Sequence, residues 1–159
     1  MDTVQAAVLS VKLKYMDAWN GRRGELAAYY TEKLRGVGDL ITPREAPGTK
    51  CVWQFYVVRT AERDALLRYL NDSGIGAHKM EMEVYAGQLA NTSSNALQLL
   101  SLPMFPELTE EKIDIIVDKC KTFFSSVFFR ESLFRSALQS RLLELRSSCK
   151  LSHRELQGA

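Results

Sequence analysis

Leu100-Ser101-Leu102-Pro103-Met104-Phe105-Pro106-Glu107-Leu108-Thr109 is the stretch from which the fold can be read. Pro103 and Pro106 each lack a backbone donor and hold φ near one value, so neither fits a helix interior. Each also pushes the residue before it towards extended backbone. The chain is therefore expected to arrive extended through Leu100 and Leu102, turn at the prolines, and launch a helix capped by Thr109. Glu110 and Glu111 put negative charge in the first turn, where the helix dipole favours it. Ile113, Ile116, Val117, Cys120 and Phe124 then fall on one face at helical spacing, and Asp114, Asp118, Lys119 and Lys121 take the other. These residues predict a strand, a stiff turn and a docked amphipathic helix.

Moving outward, the 159 residues are 46% hydrophobic, enough for one compact domain with a real core and an appendage. The formal net charge of +2 does not imply a nucleic-acid partner. No apolar run reaches membrane-spanning length, and Met1-Asp2-Thr3-Val4-Gln5 lacks the basic and apolar parts of a signal peptide. A cytoplasmic protein is expected. Cys51, Cys120 and Cys149 are an odd number without C-x-x-C spacing, which suits reduced thiols. His78 and His153 are too few and too far apart for a zinc site of the usual spacing, so no metal is expected. A Walker-type phosphate loop, a paired-carboxylate motif and a nucleophile elbow are all missing from the sequence, which ranks other enzyme classes low.

In chain order, Thr3 to Leu34 reads as helical. Val4, Ala7, Val8, Val11, Tyr15 and Ala18 repeat at three and four, and Gly21-Arg22-Arg23-Gly24 is the expected place for a kink or solvated turn. Leu26, Ala27, Tyr30 and Leu34 resume the pattern, and Gly36 and Gly38 end it. Thr42 to Gly48 is a loop by its prolines and glycine. Lys50 to Thr60, rich in aromatic and β-branched residues, is the best strand and is expected to be covered, at least in part, on both faces. Ala61 to Asn71 is a short helix with Leu66, Leu67 and Leu70 on its apolar side, and Gly74 stands where a helix C-terminus favours glycine. Ile75-Gly76-Ala77 could begin a second strand. Met80, Met82 and Val84 alternate with Glu81 and Glu83, which favours a strand over Lys79 to Tyr85. Ala86 to Asn91 reads as a loop and Thr92 to Leu97 as a turn of helix.

After Phe124 the character changes. Phe134, Leu138, Leu142 and Leu145 share a helical stripe, and six basic residues stand against three acidic ones. The division expected is therefore residues 1–124 as the domain and residues 125–159 as a basic amphipathic helical tail. The fold class is α+β: a small, mainly antiparallel sheet packed with helices, plus the extra C-terminal helix. The tail is read as a helix that packs on the domain or covers surface; attachment to a membrane surface or a partner is the alternative.

At this point the residues resemble a known family. Met1-Asp2-Thr3-Val4-Gln5-Ala6-Ala7-Val8-Leu9, with Lys12-Leu13 and Trp19-Asn20, is similar to a segment of the DegT/DnrJ/StrS family of pyridoxal-phosphate-dependent nucleotide-sugar aminotransferases. Pro47-Gly48 followed by Val52-Trp53-Gln54-Phe55-Tyr56-Val57-Val58-Arg59 resembles the family's loop and strand. Arg63-Asp64-Ala65-Leu66 and Gly74-Ile75-Gly76 resemble the helix that follows. Leu89-Ala90-Asn91-Thr92 and Ser101 to Thr109 resemble its closing signature. The resemblance covers about residues 1–124 and is to the family's C-terminal, small domain.

The resemblance implies amino transfer to a keto-sugar nucleotide by the whole enzyme, with pyridoxal phosphate as cofactor. In the family the aldimine-forming lysine, the aspartate on the pyridine nitrogen and the phosphate-holding groups belong to the larger N-terminal domain. No lysine here sits in a comparable context, so no catalytic, cofactor-binding or metal residue is assigned, and the chain alone is expected to be inactive. Gly74-Ile75-Gly76-Ala77 runs straight into His78-Lys79-Met80-Glu81, where the family has a His-Tyr or His-Phe pair. His78 is therefore read as a partly exposed strand or loop histidine and carries no family role. Family active sites lie at a dimer interface, which implies pairing with itself or with an aminotransferase large domain. The exposed side of the first helix, or the tail, would carry that pairing.

Overall fold

The computed structural model describes residues 2–79, 95–129 and 132. Two compact units divide the chain, Met1–Thr122 and Phe123–Ala159. In the first, α1 spans Thr3–Leu13, α2 Met16–Lys33, β1 Tyr56–Arg59, α3 Arg63–Asp72, β2 His78–Lys79 and β3 Leu99–Leu102. Residues 110–122 form a further helix, α4. The three strands make one antiparallel sheet in the order β1-β3-β2. The central strand β3 is the one that feeds the proline turn.

Register decides which residues meet. Tyr56 lies opposite Leu102 and Val58 opposite Leu100. Opposite residues share a face, so these four buried side chains form one apolar face of the sheet. Leu26 and Tyr30 of α2 and its C-cap Leu34 are buried at a spacing of four, the spacing that keeps side chains on one side of a helix. The Tyr30 ring stacks on Tyr56 at 4.8 Å between centroids. Its hydroxyl donates to the Pro103 carbonyl at 3.1 Å. The Tyr56 and Thr31 hydroxyls are 2.8 Å apart. One tyrosine pair thus joins helix, strand and proline turn.

The proline segment behaves as read. β3 ends at Leu102. The Thr109 hydroxyl accepts the Lys112 N–H at 3.4 Å, as an N-cap does. Ile113, Ile116, Val117 and Cys120 are buried, while Asp118 and Lys121 are exposed. α3 ends in a Schellman motif: the Gly74 N–H reaches the Asn71 carbonyl, the Ile75 N–H reaches the Leu70 carbonyl, both at 2.9 Å, and Gly74 has φ +79°.

Two expectations are corrected. The strand read over Lys50 to Thr60 is only Tyr56–Arg59. Trp53 has φ +49°, a left-handed conformation that breaks a ladder. The backbone around it pairs with side chains instead: Arg23 Nε donates to the Val52 carbonyl at 3.0 Å, and the Cys51 N–H donates to Glu45 at 2.9 Å. Val52 and Phe55 are exposed, so cover on both faces does not extend to them. The single helix read over Thr3 to Leu34 is two. It breaks at Lys14-Tyr15, where N–H groups reach back three residues rather than four, and not at Gly21–Gly24, through which α2 runs. An Arg22–Glu25 ion pair at 2.8 Å spans that glycine segment.

The second unit contributes residues 123–129 as helix, where the Phe123 and Phe124 rings meet edge-on at 5.2 Å. The strand read over Lys79 to Tyr85 is described only at its first residue, which lies in β2. The readings for 86–94 and the tail stripe at Phe134, Leu138, Leu142 and Leu145 lie outside the described residues, as do Cys149 and His153. Among the described residues, no helix is long and apolar enough to cross a membrane.

Candidate functional site

A concavity of about 1060 Å³ in the first unit opens where the Schellman turn, the strand edge and the proline turn converge. Its wall begins with Gly74-Ile75-Gly76. The Asn71 side chain accepts the Ala77 N–H at 3.1 Å and the Ala77 N–H also reaches the Ile75 carbonyl at 2.8 Å, so the turn is held in one shape. The chain then enters β2, where His78 pairs with Ser101 and Lys79 with Leu100. Met104 and Phe105 between the prolines and Leu108 beyond them line it further, and α4 adds Lys112, Ile115 and Ile116. Phe55, Phe105 and Ile115 are exposed.

Among the described residues this lining is mostly apolar, with His78, Lys79 and Lys112 as its titratable groups and no carboxylate. Such a surface can bind an apolar body and orient a negative group. Among the described residues, no group of three His, Cys, Asp or Glu side chains could hold a metal ion.

The residues weighed from sequence fall as follows. His78 is an exposed residue of the edge strand, as read, and sits on the cleft. Cys120 is buried in α4, and burial pushes its thiol up to about 12, which suits a packing role. Cys51 is exposed and its Sγ accepts the Trp53 N–H at 3.5 Å. It lies in a second, smaller groove with Arg35, Arg44, Lys50 and Trp53, about 640 Å³. Sequence reasoning missed Asn71 and Lys112 as cleft residues. The Gly-Ile-Gly turn was the available signal for Asn71, but no local pattern places Lys112 there, because α4 reaches the cleft only through the fold.

Beyond the cleft, α2 and α4 are tied by a polar cluster. Lys33 Nζ lies 3.0 Å from Asp114 and 4.9 Å above the Tyr29 ring, whose hydroxyl donates to both Asp114 oxygens at 3.1 Å. The hydrogen bond from Lys33 is the main cause that holds the Asp114 carboxyl below its ordinary range. Both partners are more than a third exposed, so the pair contributes modestly to stability.

The model of the DegT/DnrJ/EryC1/StrS aminotransferase family matches residues 1–121. The chain is 38% identical over 138 residues to a pleiotropic regulatory protein of Geobacillus stearothermophilus, covering 78% of this chain and 37% of that one. It is 35% identical over 139 residues to the dTDP-3-amino-3,4,6-trideoxy-alpha-D-glucose transaminase of Streptomyces venezuelae, covering 80% and 37%. Among solved structures, S. venezuelae DesV in complex with a ketimine intermediate aligns with a TM-score of 0.69 at 33% identity, over 78% of this chain and 37% of that one. Helicobacter pylori PseC shares the fold at 19% identity, with a TM-score of 0.68 over 77% and 37%. The chain thus spans a little over a third of the length of the curated relatives it matches.

Proposed function

Because this chain belongs to the DegT/DnrJ/EryC1/StrS aminotransferase family, we propose that it is the small domain of a sugar aminotransferase. The whole enzyme would place an amino group on the keto carbon of a nucleotide-linked sugar. This chain would bind and position, and by itself would not catalyse. The observation that carries the reading is a contrast of extents. The family match runs over residues 1–121, yet the chain covers only 37% of the relatives' lengths.

When bound, pyridoxal phosphate supplies the electron sink for amino transfer. The protein must then supply a tethering amine, a carboxylate for the ring nitrogen and a cradle for the phosphate. Among the described residues, Lys79 and Lys112 line the cleft and no carboxylate does, so the described lining does not supply that list. The apolar walls and the cationic groups suit contact with a substrate or with a neighbouring domain.

Pyridoxal phosphate added to the purified chain is expected to give no stoichiometric, borohydride-stable adduct at any one lysine, and no amino transfer to a keto-sugar nucleotide. A single-lysine adduct accompanied by turnover by this chain alone would overturn the reading.

A further inference from the structure

Consecutive residues of a strand face opposite sides of the sheet. Gln54 and Phe55 are consecutive, yet both line the cleft. Tyr56 and Val58 after them are buried on the apolar face of the sheet. Run backwards, the same alternation would aim the Gln54 amide at that apolar face, where a polar group is costly. The backbone avoids this by bending at Gln54 and Phe55. The bend follows Trp53, whose φ of +49° is left-handed. A bulky side chain resists that conformation and keeps it only where the surroundings enforce it.

The enforcing group comes from α2. Half-buried Arg23 donates from Nε to the Val52 carbonyl at 3.0 Å and from its terminal nitrogen to Asn20 Oδ1, one turn back. The Val52 carbonyl belongs to the peptide plane about which φ of Trp53 is set. The other end of that peptide, the Trp53 N–H, is held by Cys51 Sγ at 3.5 Å. The guanidinium bond is the stronger of the two, because its donor is charged and its fork is anchored on Asn20. We infer that Arg23 is a positioning residue of the cleft. It clamps the Val52–Trp53 peptide, holds Trp53 left-handed, and so turns Gln54 and Phe55 together into the cleft lining. The cleft thereby gains an amide that can donate and accept beside an exposed aromatic ring. The assignment goes beyond the proposed function and stands whether or not the cleft meets a sugar substrate.

The test is NMR on the isotopically labelled 159-residue chain. A residue with positive φ gives a strong Overhauser contact between its own N–H and Hα. That signature is expected at Trp53, with further contacts joining Gln54 and Phe55 to other cleft residues. Arg23→Met keeps the apolar stem and removes the donors. It should weaken both sets of contacts at least about threefold, while the Tyr30–Tyr56 ring contacts and α3 amide exchange stay within about twofold of the parent. Glycine adopts left-handed backbone freely. Trp53→Gly added to Arg23→Met should therefore restore the cleft contacts of Gln54 and Phe55 at least about twofold over Arg23→Met alone. An arginine that only stabilised the fold would not be rescued from residue 53. Arg23→Lys keeps charge and stem but not the fork, and should lose at least about half of the cleft contacts. It carries the test if Arg23→Met does not fold. A parent without the Trp53 signature, a folded Arg23→Met or Arg23→Lys with parental cleft contacts, or a double variant without rescue overturns the inference. Each leaves the proposed function standing, because that reading is judged by cofactor adduct and turnover.

Discussion

Single residues carry some of the clearest consequences. Gly74 holds φ +79° at the end of α3, and a Cβ there would meet nothing within 4 Å. The effect of Gly74→Ala is therefore conformational, not steric. It should destabilise by about 1–2 kcal/mol, read as a lower urea midpoint at unchanged slope, and Gly74→Asn should recover part of the loss. Thr109→Ala removes the cap of α4 and should cost about 1 kcal/mol in the same measurement, with Thr109→Ser close to the parent. For Asp114 the sign follows from its lowered folded pKa. Stabilisation by the Lys33 pair is complete above the unfolded carboxyl value of about 3.9 and is lost as pH falls through the lower folded value. The difference in urea midpoint between parent and Lys33→Met should shrink between about pH 6 and pH 2. Thr109 and Gly74 were legible in the sequence because capping is local chemistry. Trp53 was not. Its left-handed backbone goes with a hydrogen bond from Arg23 to the adjacent Val52 carbonyl, and those two residues are far apart in the chain.

Among the elements, the junction of α2, β1 and the proline turn depends on more than the hydrophobicity that the sequence pattern displays. Tyr30 is fully buried, yet its hydroxyl is paired to Pro103. Tyr30→Phe keeps the stacking on Tyr56 and leaves that carbonyl without its donor. It should lower stability by about 1 kcal/mol in denaturant unfolding, whereas Tyr30→Ala should lower it by about 3–5 kcal/mol through the cavity it creates. Helix, strand and turn were each readable from periodicity, and α3 falls close to the bounds that Leu66, Leu67 and Leu70 suggested. The shortening of the predicted strand to Tyr56–Arg59 was not readable. Val52 and Phe55 have the residue types of a strand, but only four residues find a partner in β3. Strand formation needs that partner, and side-chain type alone does not supply it.

For the molecule as a whole, the decisive feature is a folded core beside a helix none of whose residues reaches the buried class. Leu26, Tyr30, Tyr56, Val58, Leu66, Leu100, Ile113 and Val117 are buried, while Val4, Val8, Leu9, Val11 and Leu13 of α1 are exposed. A double variant, Val8→Lys with Leu9→Lys, should therefore raise solubility and reduce light scattering of the isolated chain. It should leave the midpoint of core unfolding within about 0.5 kcal/mol of the parent.

Local chemistry was enough to read the α+β class, the proline turn, the caps at Thr109 and Gly74, and the kinship carried by several short motifs in order. Each of these depends on neighbours a few residues away, within reach of backbone sterics and helix periodicity. The cleft and the contrast between the buried Leu26–Tyr30 face of α2 and the exposed apolar residues of α1 emerged only when distant segments were brought together. Lys112 reaches the cleft by way of α4, and the apolar spacing of α1 looks like core although none of its residues is buried. Burial belongs to the packing of many segments at once, and an apolar pattern states only that a helix face must be covered, never by what.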